Sequence, residues 1–201
     1  MTTTRLLDRQ SKTLVEAELI PDLSAVQLIA VEDVWREFRD EAMVRAVVQG
    51  ASVPEHNHWR WDKKAYELRF TAYRCLGISR DDRIQGLAMC STLAMPGRSA
   101  SHRGKPVLYV KYIESAPWNL VAYLGDNAQY GGVGTALISA LIGVSMEEEF
   151  KGRLALHSLP QSEAFYSKLM DDLGVDAGVE GLRYFELSER GAQRFMKGEQ
   201  R

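Results

Sequence analysis

The chain has 201 residues, 45% hydrophobic and 26% charged, which supports a buried core and excludes a disordered or low-complexity polymer. A formal charge of -2 excludes an overall electrostatic attraction to nucleic acid or anionic lipid, leaving only a local basic patch open, and no run of 18 apolar residues marks a membrane span. Cys75 and Cys90 lie singly in apolar segments, without metal-site or disulfide spacing, and the polar N-terminus lacks an apolar signal stretch, so a reduced, cytoplasmic setting is expected.

After a polar start, TLVEAELI (13–20) reads as an edge strand or a short helix. Asp33 is placed to cap a helix over 32–48, in which Val34, Phe38, Ala42, Val44, Ala46 and Val48 recur near helical spacing until Gln49-Gly50 ends it. Pro54 introduces the polar, aromatic EHNHWRWDKK. Three strands follow, over 67–78, 83–95 and 106–116, with a tight hairpin at 79–82 and a flexible Gly/Ser-rich loop at 96–105. The glycine-rich QYGGVG (129–134) then precedes a helix with an apolar stripe of Val133, Leu137, Ile138, Leu141 and Ile142. A strand (153–159), a helix (161–173), a strand (181–188) and a short helical tail complete the chain. Strands first, then alternating helix and strand, define an α+β fold: a mixed, mostly antiparallel central sheet flanked by helices. One domain is expected, with a strand and helical part at 1–64, a core sheet carrying the glycine loop at 65–188, and a tail at 189–201.

Glycines before a helix require a reason, because each costs backbone entropy and lowers helix propensity by about 1 kcal/mol relative to Ala. A helix N-terminus presents unpaired N–H donors and partial positive charge, and glycines allow a phosphate to approach them. The segment reads as an anion cradle or as a plain packing turn. The GxGxxG after a first strand that a dinucleotide site needs is absent, as is the Gly-Lys-Ser/Thr of a P-loop.

Gln129-x-x-Gly132-x-Gly134 resembles the acyl-CoA signature of the GCN5-related N-acetyltransferase (GNAT) superfamily. Phe165 to Met170 is similar to the second motif of that family, where an aromatic pair ending in Tyr lies near the acyl-CoA sulfur. Ala116-Pro117-Trp118-Asn119, residues 156–160 and Tyr184-Phe185-Glu186 resemble strings shared by a group of bacterial acetyltransferases. The resemblance implies a GNAT-like fold with acetyl-CoA as cosubstrate and no metal. It further implies that Gln129, Tyr130, Gly131, Gly132, Val133, Gly134 and Thr135 hold the pyrophosphate, and that acetyl passes to a primary amine of a small molecule or protein by direct attack in a ternary complex. Neither nucleic acid nor membrane is an expected partner, and homodimers are common among similar proteins. The chain departs from the family pattern at Ser158-Leu159, at Met170-Asp171-Asp172, and in a longer loop over 117–128.

Acetyl transfer from a thioester needs a neutral amine, a stabilised oxyanion and a proton for the departing thiolate. Tyr166 is the expected acid, the alternative being a core aromatic. Glu114, ending an apolar strand, is the first choice of base, directly or through a water; otherwise it pairs with Lys111 or Arg69. His157 is the rival base and lies with Trp118 and Asn119 among the residues expected to line the acceptor pocket, although a loop Trp equally caps a core and a strand His equally satisfies one. His56-x-His58 has too few neighbouring ligands for zinc. A non-catalytic acyl-CoA-binding or protein-interaction module is the competing reading.

Overall fold

The computed structural model describes residues 2–48, 50 and 53–198. Its strands are β1 (Thr3–Asp8), β2 (Thr13–Ile20), β3 (Tyr73–Arg80), β4 (Arg83–Pro96), β5 (Pro106–Ser115), β6 (Tyr130–Gly131), β7 (Leu154–Ser158), β8 (Asp171–Asp176) and β9 (Leu182–Leu187). Its α-helices are α1 (Ala25–Val48), α2 (Trp61–Lys64), α3 (Val121–Leu124), α4 (Val133–Glu147), α5 (Pro160–Tyr166) and α6 (Glu189–Met196). The strands form one mixed, mostly antiparallel sheet in the order β6-β1-β2-β3-β4-β5-β7-β9-β8, as the α+β reading requires. No described helix is long and apolar enough to cross a membrane. The chain divides into two compact units, residues 1–88 with 113–137, and 89–112 with 138–201.

In the first unit, β1 pairs antiparallel with β2, placing Leu6 opposite Val15. β1 was not anticipated, because only Leu6 of its side chains is fully buried and the pattern is too sparse to declare a strand. α1 starts two turns before the expected Asp33 cap. Ser24 Oγ accepts from the Gln27 N–H at 3.3 Å, and Gln27 Oε1 accepts from the Ser24 N–H at 2.9 Å, a reciprocal capping box. Its buried stripe is Leu28, Glu32, Trp35, Arg39, Ala42 and Ala46, whereas Val34, Val44 and Val48 face solvent. Of the expected stop, Gln49 lies outside the described residues. The expected first strand begins only at Tyr73; residues 65–69 form a 3₁₀ turn in which Arg69 lies over Tyr66, 3.4 Å from the ring centroid. The hairpin between β3 and β4 turns on Asp81 and Asp82, whose φ values of 54° and 56° match a type I′ turn.

In the second unit, β5 pairs parallel with β7, and β7 and β8 flank β9 antiparallel. The expected helix over 161–173 stops at Tyr166, and Asp171–Asp176 instead form β8. Pairing with β9 overrides the apparent helical pattern here, since an edge strand tolerates the acidic, half-exposed side chains of DDLGVD. α6 is capped by Ser188, whose Oγ accepts from the Gly191 N–H at 3.1 Å. The expected flexible loop at 96–105 is instead fastened. The fully buried Glu186 carboxylate accepts from the backbone N–H groups of Arg98 and Ser99, both at 2.7 Å, and meets His102 Nε2 at 2.9 Å.

Candidate functional site

The glycine loop is assembled within the first unit. β6 pairs with β1, Gly131 opposite Leu7 and Tyr130 opposite Asp8, and the Arg9 N–H donates to the Gln129 carbonyl at 2.9 Å. Gly132 has φ +79°, and a Cβ there would meet nothing within 4 Å, so glycine is required by the left-handed backbone and not by crowding. α4 begins at the next residue. The Ala136 N–H donates to the Gly132 carbonyl at 2.9 Å, and the N–H groups of Val133, Gly134 and Thr135 belong to the first turn, which has no intrahelical acceptors.

What seats that turn is a residue the sequence reading passed over. A Cβ on Gly86 of β4 would lie 2.4 Å from Val133 Cγ1, 3.1 Å from Leu137 Cδ1 and 3.3 Å from the Glu114 carbonyl. Only a bare strand position lets α4 approach this closely. Trp118 and Asn119 turn inward and brace the loop. The Asn119 amide donates to the Gln85 carbonyl at 3.0 Å and its Oδ1 accepts from the Tyr130 N–H at 3.0 Å, while the Trp118 indole donates to Gln85 Oε1 at 2.8 Å. The Trp118 ring is buried edge-on against Trp35 and Phe38.

Glu114 lies in the same unit, 3% exposed. Its Oε1 is 3.3 Å from Arg39 Nη2 and its Oε2 accepts from the Trp61 indole at 2.6 Å. The cation it meets is therefore on α1, whereas the sequence offered Lys111 and Arg69. Burial lifts its pKa to about 7, against the pull of Arg39 and the indole hydrogen bond. Arg39 also reaches Glu32 Oε1 at 3.5 Å and donates to the Trp59 carbonyl at 2.7 Å, and Glu32 Oε2 accepts from the Trp61 N–H at 2.9 Å. His56 Nε2 approaches Glu114 to 3.8 Å, but burial, with Arg39 and His58 adding to it, lowers the His56 pKa to about 4. It is neutral near pH 7, so this approach is not an ion pair. Glu32 and Arg39 were visible as charges seven residues apart on α1; nothing local marked Trp59 or Trp61 as their partners.

In the second unit, Tyr166 closes α5, buried against Phe185 and Phe165. Burial alone raises its phenol pKa above the ordinary value. His157 on β7 bonds Tyr109 Oη through Nδ1 at 2.9 Å and Asp176 Oδ2 through Nε2 at 3.2 Å, with its ring 4.8 Å from that of Tyr184.

No family model matches the chain, and no curated protein matches it in sequence. Solved structures match it by fold. An N-acyl amino acid synthase, FeeM, from uncultured soil microbes aligns with a TM-score of 0.55 at 12% identity, over 88% of this chain and 92% of that one. The aminoglycoside acetyltransferase AAC(6')-Ib, in complex with coenzyme A and kanamycin, aligns with a TM-score of 0.52 at 13% identity, over 89% and 98%. A protein from Desulfovibrio desulfuricans described as an acetyltransferase of the GNAT family aligns with a TM-score of 0.52 at 14% identity, over 86% and 99%. The chain has the fold of the GNAT acetyltransferases. At these identities the likeness is one of fold.

Proposed function

We propose that this protein is an acyl-CoA-dependent N-acyltransferase that moves an acetyl group from acetyl-CoA to a primary amine of a small molecule or protein. The observation that carries the reading is Gln129-x-x-Gly132-x-Gly134 running into α4, with Gly132 in the left-handed region and a first helical turn whose N–H groups suit a pyrophosphate. Gly86, Asn119 and Gln85 hold that turn in place. The amine attacks the thioester carbonyl directly within a ternary complex, its C–N bond forming as the tetrahedral oxyanion develops, and the C–S bond then breaks.

Glu114 takes a proton from the incoming ammonium through a water. A carboxylate with a pKa near 7 is matched to that task, being half ionised at neutral pH while still basic enough to accept. Tyr166 protonates the leaving thiolate; its raised pKa keeps the phenol protonated for donation. Calorimetric titration with acetyl-CoA, CoA, ATP and NAD tests the reading. Micromolar binding of acetyl-CoA that is lost in Gly132→Val supports it, and no binding of acetyl-CoA overturns it. Tyr166→Phe separates enzyme from binding module: an enzyme loses turnover about 100-fold while acetyl-CoA still binds.

A further inference from the structure

We propose that Ser101 is an activated nucleophile that takes the acyl group of small activated carboxylic esters, with His102 as its base and Glu186 as the buried charge behind the base. The inference stands apart from the acyl-transfer reading: all three residues belong to the second unit, and the glycine loop belongs to the first.

A carboxylate buried as fully as Glu186 persists only where its oxygens are occupied. Oε1 accepts from the Arg98 N–H at 2.7 Å and from the Tyr184 hydroxyl at 2.8 Å, and Oε2 accepts from the Ser99 N–H at 2.7 Å. His102 Nε2 stands 2.9 Å from the same Oε2, and the two side chains are 3% and 0% exposed. Nε2 is not aligned for a hydrogen bond, so the carboxylate acts on the ring through its charge at short range. A lone pair on Nε2 would face that charge, which assigns the ring proton to Nε2 and the lone pair to Nδ1. Nδ1 lies 2.8 Å from Ser101 Oγ, which donates to it. Hydroxyl, imidazole and carboxylate thus follow one another as nucleophile, base and counter-charge.

The loop between β4 and β5 holds this order in place. The His102 N–H donates to the Ser99 carbonyl at 3.1 Å, the Lys105 N–H to the His102 carbonyl at 3.0 Å and the Gly97 N–H to the Lys105 carbonyl at 2.8 Å. A Cβ on Gly97 would lie 2.7 Å from His102 Cδ2 and 3.3 Å from Nε2, so bare backbone there leaves the ring its room. His102 and Ser99 are buried, whereas Ser101 is exposed and meets an ester from solvent. The Ser99 hydroxyl, 3.1 Å from Ser101 Oγ, supplies a donor to negative charge developing on that oxygen. The nearby N–H groups of Arg98 and Ser99 are spent on Glu186 and do not serve a tetrahedral oxyanion. The site therefore supplies a base without an oxyanion hole, which suits esters whose leaving group departs readily.

In the step itself, the Ser101 O–H bond breaks as an N–H bond forms at His102 Nδ1, and Oγ bonds to the ester carbonyl carbon. The bond from that carbon to the leaving oxygen then breaks, and its electron pair departs with the leaving group. The imidazolium, facing Glu186, releases its proton to the leaving group or to water. The product is an O-acyl serine, and no atom changes oxidation state.

The test treats the full chain with an ethyl fluorophosphonate, which traps activated serines as the P–F bond breaks and fluoride leaves, and reads each adduct by peptide mass spectrometry. Ser11 and Ser167 are exposed serines without a histidine partner and serve as internal references. Ser101 should be labelled about 100-fold faster than either, and His102→Gln should remove that advantage. Glu186→Gln should lower the rate at Ser101, and Glu186→Asp, which keeps the charge, should restore part of it. With p-nitrophenyl acetate, release of p-nitrophenolate should fall in Ser101→Ala. Labelling of Ser101 no faster than of Ser11 and Ser167, or nitrophenolate release unchanged in Ser101→Ala, overturns the proposal. Equal rates in Glu186→Gln and Glu186→Asp overturn the part given to Glu186. The ratio of Ser101 to Ser11 labelling is read in the wild type, so a folding defect in a variant at either buried position does not remove the test.

Discussion

Glu114 carries two opposing demands in one carboxylate: it is buried, which favours the neutral form, and it is held by Arg39 and an indole N–H, which favour the charged form. Burial wins, and the pKa rises to about 7. An acid whose folded-state pKa lies above its unfolded value stabilises the fold fully below the unfolded value, near 4.5, and loses that contribution as pH rises through about 7. Glu114→Gln cannot ionise and lacks this loss. Its stability relative to wild type, read from urea midpoints, should therefore improve between pH 5 and pH 8 by on the order of a few kcal/mol. Asn119 braces the glycine loop by accepting from the Tyr130 N–H. Asn119→Ala strands the Tyr130 N–H and should cost about 1–3 kcal/mol in stability while weakening acetyl-CoA binding, which denaturation and calorimetry would register separately.

Two elements depend on single positions. α4 can seat its first turn only because Gly86 has no side chain. Gly86→Ala places a methyl 2.4 Å from Val133 Cγ1, so the helix start or the strand must shift. A loss of about 1–3 kcal/mol is expected from such overpacking, together with weaker acetyl-CoA binding than stability alone would explain. α1 depends on Ser24, whose reciprocal bonds with Gln27 begin the helix well before its charged stripe residues. Ser24→Ala should lower stability by about 0.5–2 kcal/mol without altering the titration of Glu114, because Arg39 lies four turns further along. Equal stability in that variant would mean that tertiary packing, not the cap, sets where α1 starts.

For the molecule as a whole, acid brings the first unit under strain through His56. Its pKa is depressed to about 4, so the stability of the neutral ring is present above the unfolded value near 6.5 and is lost as pH falls through about 4. His56→Gln, which cannot be protonated in that range, should unfold at lower pH than wild type when acid titration is followed by circular dichroism. The second unit is closed differently. Glu186 accepts two backbone N–H groups and the Tyr184 hydroxyl, so it fastens the loop at 96–105 to β9. A long loop that composition alone marks as flexible is therefore tied at its start.

The sequence by itself determined the α+β class, the strands β4, β5, β7 and β9, the hairpin at 79–82 and the glycine loop ahead of α4, because each rests on local periodicity or on a short motif with its own backbone demand. It also marked Glu114 as a carboxylate at the end of an apolar strand. Tertiary structure alone decided β1, β8 and the short α5, whose segments have weak or misleading local patterns that pairing overrides. It decided the partners too: Arg39 and Trp61 for Glu114, Gln85 for Trp118 and Asn119, Tyr109 and Asp176 for His157. These residues stand 19 to 75 positions apart, and a hydrogen bond is set by distance in space, which no spacing along the chain encodes.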